Sequence, residues 1–279
     1  MIIVTGGAGF IGANIVKALN EMGEENILIV DHLGQTEKWK NLVDLNYTDF
    51  EDKGRFLEKV EQGVFDHGVW AVFHMGACSS TTEMDADYLM SNNFNYTKRL
   101  APAFVGKKGV RFIYASSAAT YGSGELGYSD DHETSPNLRP LNMYGYSKQL
   151  FDMWAMRTKV LDHVVGLKYF NVFGPNEYHK GDMRSVAIRA YFQAKMDGRV
   201  RLFKSYRPDY NHGEQMRDFI YVKDAVAITL AFLERPEVNG LFNVGTGNPR
   251  TFNDLASSVF NALNTPPDIE YIEMPPGLE

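Results

Sequence analysis

The stretch Gly6-Gly7-Ala8-Gly9-Phe10-Ile11-Gly12 follows the apolar run Ile2–Val4 and opens an amphipathic helical pattern. A strand, a glycine-rich turn and a helix in this order are typical of a dinucleotide-binding site. Gly6 permits the tight turn, Gly9 lets the backbone approach a pyrophosphate, and Gly12 allows the helix to pack closely on the strand. The helix N-terminus offers N–H donors and a positive dipole to the phosphates. The stretch therefore predicts a bound dinucleotide.

A second stretch, Tyr144-Gly145-Tyr146-Ser147-Lys148, places a phenol and an ammonium four residues apart, on one face of a helix. A nearby ammonium favours the ionised phenol and so makes Tyr144 a general base. The lysine is also placed to hydrogen-bond the ribose of a nicotinamide. The predicted strand end Ala115-Ser116-Ser117 offers the Ser117 hydroxyl to the same substrate oxygen. Together these residues predict an enzyme that moves a hydride and a proton at an alcohol carbon.

Apolar, β-rich runs alternate with amphipathic stretches along the chain, an order typical of a parallel sheet covered by helices. The further predicted strands are Ile27–Val30, Val69–His74, Arg111–Ala115, His163–Tyr169 and Leu241–Val244, and the predicted helices include Ile11–Met22, Asp85–Phe104 and Asn142–Val160. We therefore predict an α/β protein with a Rossmann-type doubly wound parallel sheet and a smaller, discontinuous C-terminal substrate lobe.

The lobe is predicted from the later segments, because the pattern from Asn176 to Arg217 is polar and irregular. We predict the dinucleotide-binding domain at residues 1–171 plus about 216–247, and the lobe at about 172–215 plus 248–279.

The composition argues against several other classes of protein. A formal net charge of -7 argues against a nucleic-acid surface, and no apolar run approaches the ~18–20 residues that span a bilayer. Cys78 is the only cysteine, which excludes an internal disulfide and fits a cytoplasmic protein. No His, Cys and Asp residues have the spacing of metal ligands, so no metal is expected and His74 is predicted to be a positioning or core residue. Gly245-Thr246-Gly247 is predicted to be a structural turn before the last helix.

The identity of the dinucleotide stays open on the residues alone. Asp31 ends the second predicted strand, where a carboxylate usually holds a ribose 2′-hydroxyl and favours NAD. His32, Lys38 and Lys53 lie in the region that surrounds a 2′-phosphate, which favours NADP.

Longer motifs carry a resemblance that covers essentially the whole chain. They are Gly76-Ala77-Cys78-Ser79-Ser80-Thr81-Thr82-Glu83, Ala115-Ser116-Ser117-Ala118-Ala119-Thr120-Tyr121-Gly122, Tyr169-Phe170-Asn171-Val172-Phe173-Gly174-Pro175 followed by His179-Lys180-Gly181, and Arg217-Asp218-Phe219. With the two stretches above, they resemble extended short-chain dehydrogenases/reductases and, more narrowly, the ADP-L-glycero-D-manno-heptose 6-epimerase family.

The resemblance implies that bound NADP, with NAD as the other possibility, takes hydride from C6 of an ADP-linked heptose and returns it to the opposite face. Retention of Lys38 and Lys53 favours NADP. No net oxidation results, and the product serves assembly of the lipopolysaccharide inner core. The resemblance also implies a homo-oligomer, since pentamers occur in the family.

The resemblance further implies a role for each matched residue. Lys180 is implied as a second base, acting on the opposite side from Tyr144, with Lys148 and Ser117 completing the catalytic set. The implied cofactor contacts are Gly6, Gly9, Phe10, Ile11, Gly12, Asp31, His32, Lys38, Lys53, Met75, Gly76, Ala77, Cys78, Ser79, Asn92, Tyr144, Lys148, Val172 and Lys180. The implied substrate contacts are Ser117, Asn171, Asp182, Arg189, Phe203, Lys204 and Arg217.

Some positions depart from the family pattern. Met75 stands where the family has an acidic residue and His32 where it has an amide, while Asp182 and Arg189 replace a serine and a histidine. The family continues beyond the position of Glu279, so the lobe is expected to be truncated at its C-terminus.

Two alternatives to a heptose epimerase stay open. One is another sugar-nucleotide epimerase or dehydratase, such as a UDP-hexose 4-epimerase. A dehydratase is expected to carry acidic residues beside the Ser-Ser motif, where this chain has Ala118 and Ala119. The other alternative is a non-catalytic dinucleotide-binding module.

Overall fold

The structure, a computed structural model, describes residues 1–107 and 109–274 and divides into two compact units. The first unit comprises Met1–Tyr169 with Val222–Val244, and the second comprises Phe170–Tyr221 with the chain from Gly245 onward. The strands in chain order are β1 Ile2–Thr5, β2 Ile27–Asp31, β3 Asp49–Asp52, β4 Ala71–His74, β5 Arg111–Ser117, β6 Val165–Tyr169, β7 Asn171–Phe173, β8 Val200–Phe203, β9 Met216–Arg217, β10 Phe219–Tyr221, β11 Gly240–Val244, β12 Arg250–Thr251 and β13 Ile269–Ile272. The helices are α1 Phe10–Glu21, α2 Lys53–Glu61, α3 Ala86–Leu89, α4 Tyr96–Leu100, α5 Met143–Arg157, α6 Val186–Asp197, α7 Val222–Ala231 and α8 Phe252–Ala262.

The first unit is built on a seven-stranded sheet in the order β11-β6-β5-β4-β1-β2-β3, in which every neighbouring pair is parallel. Its central strands are continuous apolar runs buried along their whole length, as expected when both faces of a parallel sheet are covered. This confirms the predicted α/β, Rossmann-type doubly wound fold. The strand order reverses between β1 and β4, and ligands of such sheets bind in the crevice beyond the carboxyl ends of the strands at this point.

One predicted helix of this unit is interrupted. The segment predicted as Asp85–Phe104 forms α3, a π-helical turn at Met90–Asn95, α4 and a 3₁₀ turn at Ala101–Ala103. Single π-helical turns inside helices frequently occur at functional sites. Here the turn carries Asn92 and Asn93, whose contacts are described below.

The second unit has its own small core, made by α6, β8, α8 and β13 around Ala190, Ala194 and Phe260. The prediction that residues from Asn176 to Arg217 are irregular is wrong where α6 and β8 lie. The inward residues of α6 are small alanines, while Tyr191 and Phe192 are exposed, so the usual apolar stripe of a packed helix is absent from its sequence.

Three short strand pairs complete this unit: β7 with β10, β8 with β13, and β9 with β12. Because β10 pairs with β7, the chain changes unit after Tyr221, whereas the sequence predicted the change near residue 216. The predicted truncation of the lobe concerns the chain end at residues 275–279, which lie outside the described residues. Over the described ranges, no helix combines the length and apolarity that a membrane span requires.

Candidate active site

The glycine loop after β1 adopts a conformation that only small residues permit. Gly6 has φ +67°, and a Cβ at this position would lie 2.7 Å from the Gly76 backbone nitrogen. A Cβ at Gly12 would lie 2.2 Å from the Gly6 oxygen, so the helix α1 packs directly on the loop. Gly9 is the N-cap of α1 and donates its N–H to the Gly6 oxygen at 2.9 Å. The loop therefore presents backbone at the N-terminus of α1, the arrangement that holds phosphates.

A cavity of about 120 Å³ opens beside this loop. It is lined by Thr5, Gly6, Val30, Asp31, His32, Lys38, Lys53, Gly76, Ala77, Tyr88, Asn92 and Tyr96. Eight of these twelve residues are among the cofactor contacts predicted from the sequence, although they come from six separate segments. The fold thus gathers these eight residues on one cavity, together with Thr5, Val30, Tyr88 and Tyr96.

The Asp31 carboxylate forms hydrogen bonds and an ion pair with other residues of the first unit. It accepts hydrogen bonds from the Ala8 N–H at 2.9 Å and the His32 N–H at 2.6 Å. The Lys38 ammonium donates to the same carboxylate at 2.5 Å and forms a partly buried ion pair with it. Lys38 therefore neutralises the carboxylate that the sequence associates with NAD.

Lys53 and Asn92 meet at the other wall of the cavity. The Lys53 ammonium donates to the Asn92 side-chain oxygen at 2.6 Å, and the Tyr96 hydroxyl donates to the Lys53 carbonyl at 2.9 Å. Lys53 is held at the first position of α2 by the Asp52 N-cap. Two lysines therefore bring positive charge to the cavity from different elements.

His74 is a buried, neutral residue that fixes the ends of β1 and β4. Its Nδ1 lies 2.6 Å from the Thr5 hydroxyl, and its Nε2 lies 2.8 Å from the Thr97 hydroxyl. Burial, with the nearby Lys148 ammonium as a smaller cause, lowers the pKa of His74 to about 3. The prediction of a positioning or core histidine is confirmed. The described residues contain no group of three or more His, Cys, Asp or Glu that could hold a metal ion.

The loop after β4 is fastened by Asn93, a residue that sequence reasoning missed. The Asn93 side chain accepts from the Cys78 N–H at 2.8 Å and donates to the Cys78 carbonyl at 2.9 Å and to the Ser147 hydroxyl at 3.0 Å. It thus joins the loop carrying the predicted cofactor contacts Met75–Ser79 to α5. No local pattern distinguishes Asn93 from its neighbour Asn92.

Ser117 and Tyr144 lie together at the end of β5 and the start of α5. Ser117 is the last residue of β5, and its hydroxyl accepts from the Ala119 N–H at 3.1 Å. Asn142 caps α5 by accepting from the Gly145 N–H at 2.8 Å, which places Tyr144 in the first turn. Burial raises the pKa of Tyr144, and a hydrogen bond with Ser117 partly offsets the rise. Burial therefore opposes the ionisation of Tyr144 that a neighbouring ammonium favours, and the role of Tyr144 as a general base stays a prediction.

Lys148 lies one turn further along α5 and is 7% exposed. Its ammonium donates to the Ala115 carbonyl at 2.7 Å, which ties α5 to β5. Burial lowers the pKa of Lys148 to about 8, while the nearby Asp152 carboxylate acts in the opposite direction. Asp152 was not predicted from the sequence. The signal that could have found it is its position, eight residues after Tyr144 on the same helix face.

Lys180 lies in the second unit, in a 3₁₀ turn at Tyr178–Met183. The buried carboxylate of Glu177 spans this segment, accepting from the Gly174 N–H at 3.1 Å, the Ser185 N–H at 2.5 Å and the Ser185 hydroxyl at 2.8 Å. Burial lowers the pKa of Lys180, and Glu177 opposes this effect. A lysine whose pKa is lowered by burial is a candidate base.

The predicted substrate contacts of the second unit lie on several elements. Asn171 is on β7, Asp182 in the 3₁₀ turn, Arg189 on α6, Phe203 at the end of β8 with Lys204 just after it, and Arg217 on β9. Lys204 donates to Glu273 at 2.5 Å, and Asn171 donates to the Asp218 carbonyl at 3.3 Å. The Arg217 guanidinium lies 6.0 Å from the centre of the Phe252 ring. Val172, a predicted cofactor contact, also belongs to this unit, where it pairs with Ile220.

Asp218 explains the glycine turn at residues 245–247. Its carboxylate accepts from the Thr246 N–H at 2.9 Å, the Thr246 hydroxyl at 2.6 Å and the Gly247 N–H at 2.8 Å. A Cβ at Gly245 would lie 2.6 Å from this carboxylate. The prediction that this turn is structural is confirmed.

The fold, the glycine loop and the Ser117, Tyr144 and Lys148 cluster define a dinucleotide-binding enzyme of the short-chain reductase type. Residues 2–245 match the model of the NAD dependent epimerase/dehydratase family, and the chain belongs to this family. It is 58% identical over 278 residues to the ADP-L-glycero-D-manno-heptose-6-epimerase of Nitratidesulfovibrio vulgaris. The aligned residues make up 100% of this chain and 86% of the relative.

Solved structures show the same similarity. The crystal structure of Helicobacter pylori ADP-L-glycero-D-manno-heptose-6-epimerase matches with a TM-score of 0.83 at 28% identity, over 98% of this chain and 85% of that one. Thermus thermophilus UDP-glucose 4-epimerase, solved in complex with NAD, matches with a TM-score of 0.76 at 26% identity, over 99% of this chain and 87% of that one.

Proposed function

We propose that this chain is an isomerase that epimerises C6 of the heptose in ADP-D-glycero-β-D-manno-heptose to give the L-glycero epimer. The observation that carries the proposal is the cluster of Ser117, Tyr144 and Lys148 in the unit that also holds the glycine loop, in a chain 58% identical to a relative of that name. The reaction proceeds by transient oxidation of C6 and re-reduction from the opposite face, so it consumes no reductant.

The residues of the first unit fit a nicotinamide dinucleotide. Gly6 and Gly12 leave no room for a Cβ beside the N-terminus of α1, and the adjoining cavity is polar and flanked by two lysines. When bound, the nicotinamide accepts hydride from C6 and later returns it. The role of the protein is to hold the dinucleotide, orient the sugar and move the hydroxyl proton.

The cofactor we propose is NADP. Asp31 is neutralised by Lys38, so its carboxylate is a weakened acceptor for a ribose 2′-hydroxyl. Lys38 and Lys53 both reach the cavity, and Lys53 contributes a second positive charge beside Asn92. The charge that Lys53 adds to the Lys38–Asp31 pair favours a 2′-phosphate, which carries negative charge that a 2′-hydroxyl lacks.

Acid and base roles follow from opposite pKa shifts. Burial raises the pKa of Tyr144 and lowers that of Lys180, so the two shifts favour a protonated phenol and a neutral amine. We assign Lys180 to accept the proton of the C6 hydroxyl as the carbon is oxidised. Tyr144, hydrogen-bonded to Ser117, then donates a proton to the oxygen of the keto sugar as the carbon is reduced. Proton exchange with solvent restores the neutral Lys180 amine and the Tyr144 phenol before the next turnover.

The test uses the purified 279-residue chain with ADP-D-glycero-β-D-manno-heptose, and anion-exchange chromatography resolves the two C6 epimers. A mixture of both epimers is expected, with NADP released on denaturation and identified by mass spectrometry. No conversion of the heptose together with turnover of a UDP-hexose would replace the proposal by a 4-epimerase. No turnover of either substrate would favour a non-catalytic module.

We further propose that the enzyme acts in the cytoplasm as a homo-oligomer and that its product serves the lipopolysaccharide inner core. The resemblance to the heptose epimerase family supports both statements. Light scattering coupled to size-exclusion chromatography measures the assembly, and a mass equal to one chain would contradict it.

A further inference from the structure

The buried carboxylate of Asp152 lies one helical turn after the proposed catalytic residue Lys148. Asp152 follows Lys148 by four residues and Tyr144 by eight on α5, so the three side chains share one face of the helix. Asp152 is 1% exposed, and its oxygens accept from the Tyr114 hydroxyl at 2.8 Å and the Ser116 hydroxyl at 2.6 Å. The carboxylate therefore joins α5 to β5 immediately before Ser117.

Charged groups from several elements surround Asp152. Lys168, on β6, is 1% exposed, and it and Lys148 both favour the ionised form of Asp152. The Lys168 ammonium lies 4.3 Å from the centre of the Tyr121 ring. The titratable groups that interact with Asp152, Lys148 or Lys168 are Tyr114, Tyr121, Asp130, His74 and Cys78.

We propose that Asp152 is a positioning residue for proton transfer: its charge keeps Lys148 an ammonium, and its hydrogen bonds hold the strand end that carries Ser117. The inference rests on the assignment of Tyr144 and Lys148 as catalytic residues given above.

The physical reason is that Lys148 is buried, and burial favours the neutral amine. The structure gives Lys148 a pKa of about 8 with Asp152 as the main opposing charge. An ammonium at this position stabilises the phenolate that Tyr144 becomes after it donates its proton. Burial raises the pKa of Asp152, and Lys168, Lys148 and the two hydroxyl donors offset part of the rise.

The decisive variant is Asp152→Asn, which removes the charge and keeps the shape. In protein labelled with [ε-¹³C]lysine, the Lys148 signal is assigned by its loss in Lys148→Arg and is followed against pH. We expect the Lys148 titration to move down by about one pH unit or more, as for the loss of an opposite charge at close range. The alkaline limb of the kcat profile should move down by the same amount.

The matched control is Tyr114→Phe, which removes one hydrogen bond to Asp152 and leaves every charge in place. It should lower the melting temperature without moving the Lys148 titration. Asp152→Glu restores the charge and should return the titration toward its original position. If Asp152→Asn does not fold, Asp152→Ser removes the charge with a smaller side chain and carries the same expectation.

Two outcomes would overturn the inference. An unchanged Lys148 titration in the charge-removing variants would show that Asp152 is structural only, as would an equal shift in Tyr114→Phe. If instead Tyr144 and Lys148 are not catalytic, the Tyr144→Phe and Lys148→Met variants would turn over at the normal rate. This result does not depend on how the Asp152 variants behave.

Discussion

Buried charges in the first unit and surface ion pairs in the second use the same residue types differently. Lys148, Asp152 and Lys168 are at most 7% exposed, and burial shifts the pKa of each. In the second unit, arginines pair with carboxylates at the surface, as Arg201 does with Asp197 at 2.9 Å. Surface pairs are screened by solvent and contribute little, whereas buried charges change the protonation of their neighbours. The contrast teaches that the first unit is arranged to control a proton.

Glu177 and Lys180 depart from the pattern of the second unit. Glu177 is buried and uses its carboxylate to hold the segment that carries Lys180, whose pKa burial lowers. Perturbed groups of this kind concentrate at functional sites. The comparison therefore predicts that Lys180 takes part in proton transfer, unlike Lys195, which lies at the surface of the same unit.

The largest expected effect is that of Tyr144→Phe. Removing the phenolic proton should lower kcat about 10²- to 10⁴-fold, the usual range for a general acid or base, while the dinucleotide stays bound. Chromatography of the C6 epimers measures the rate, and absorbance after denaturation measures the cofactor. Tyr146→Phe is the control, since Tyr146 is 46% exposed on the same helix and should leave kcat unchanged. Equal rates for the two variants would contradict the site.

Lys180→Met tests whether Lys180, the lysine of the second unit whose pKa burial lowers, acts as a base. We expect a loss of kcat of about 10²-fold or more, because the base for the C6 hydroxyl is removed. Lys195→Met is the control: Lys195 is exposed and donates to the Tyr191 hydroxyl at 3.3 Å. A normal rate for Lys180→Met would place Lys180 with the surface lysines and remove the second base from the mechanism.

Lys38→Ala tests whether the ion pair with Asp31 selects the cofactor. Loss of one charge-assisted contact to a 2′-phosphate should weaken NADP binding about tenfold or more and NAD binding less. Isothermal titration of the cofactor-free chain with each dinucleotide measures both affinities. Lys40→Ala removes an exposed lysine that pairs with Glu37 and should change neither. A parallel loss for NADP and NAD would argue against a 2′-phosphate contact.

The smallest expected effect at neutral pH, and one that grows in acid, concerns His74. Its folded pKa of about 3 lies below the ordinary 6.5, so the unfolded chain binds the proton first and stability falls as pH drops from 6.5 toward 3. At pH 4.5 this group alone should cost about 2–3 kcal/mol of the free energy of unfolding.

Urea unfolding at pH 7 and pH 4.5 measures this loss, which His74→Asn should reduce by removing the titration. His67→Asn, at an exposed position, should leave the pH dependence as it is. The same pH dependence in all three proteins would mean that His74 does not titrate in this range.

Much of the first unit could be predicted from local patterns. The glycine loop, the continuous apolar strands and the Tyr-x-x-x-Lys spacing depend on neighbours within a few residues, and the structure confirms the fold that they predict. The break at Met90–Asn95 and the helix α6 were missed. The π-helical turn was missed because its buried Asn93 binds the loop at Cys78, which is distant in sequence. Helix α6 was missed because Ala190 and Ala194 face the core where a stripe of larger apolar residues is expected.

The residues alone therefore established a dinucleotide-binding α/β fold and a tyrosine and lysine on one helix face, since both follow from short-range spacing. Protonation states required the tertiary structure. The raised pKa of Tyr144, the pairing of Asp31 with Lys38 and the carboxylate of Asp152 behind Lys148 all depend on burial and on contacts between distant segments. Desolvation is a property of the packed chain, and for this reason the electrostatics of the site emerged only with the fold.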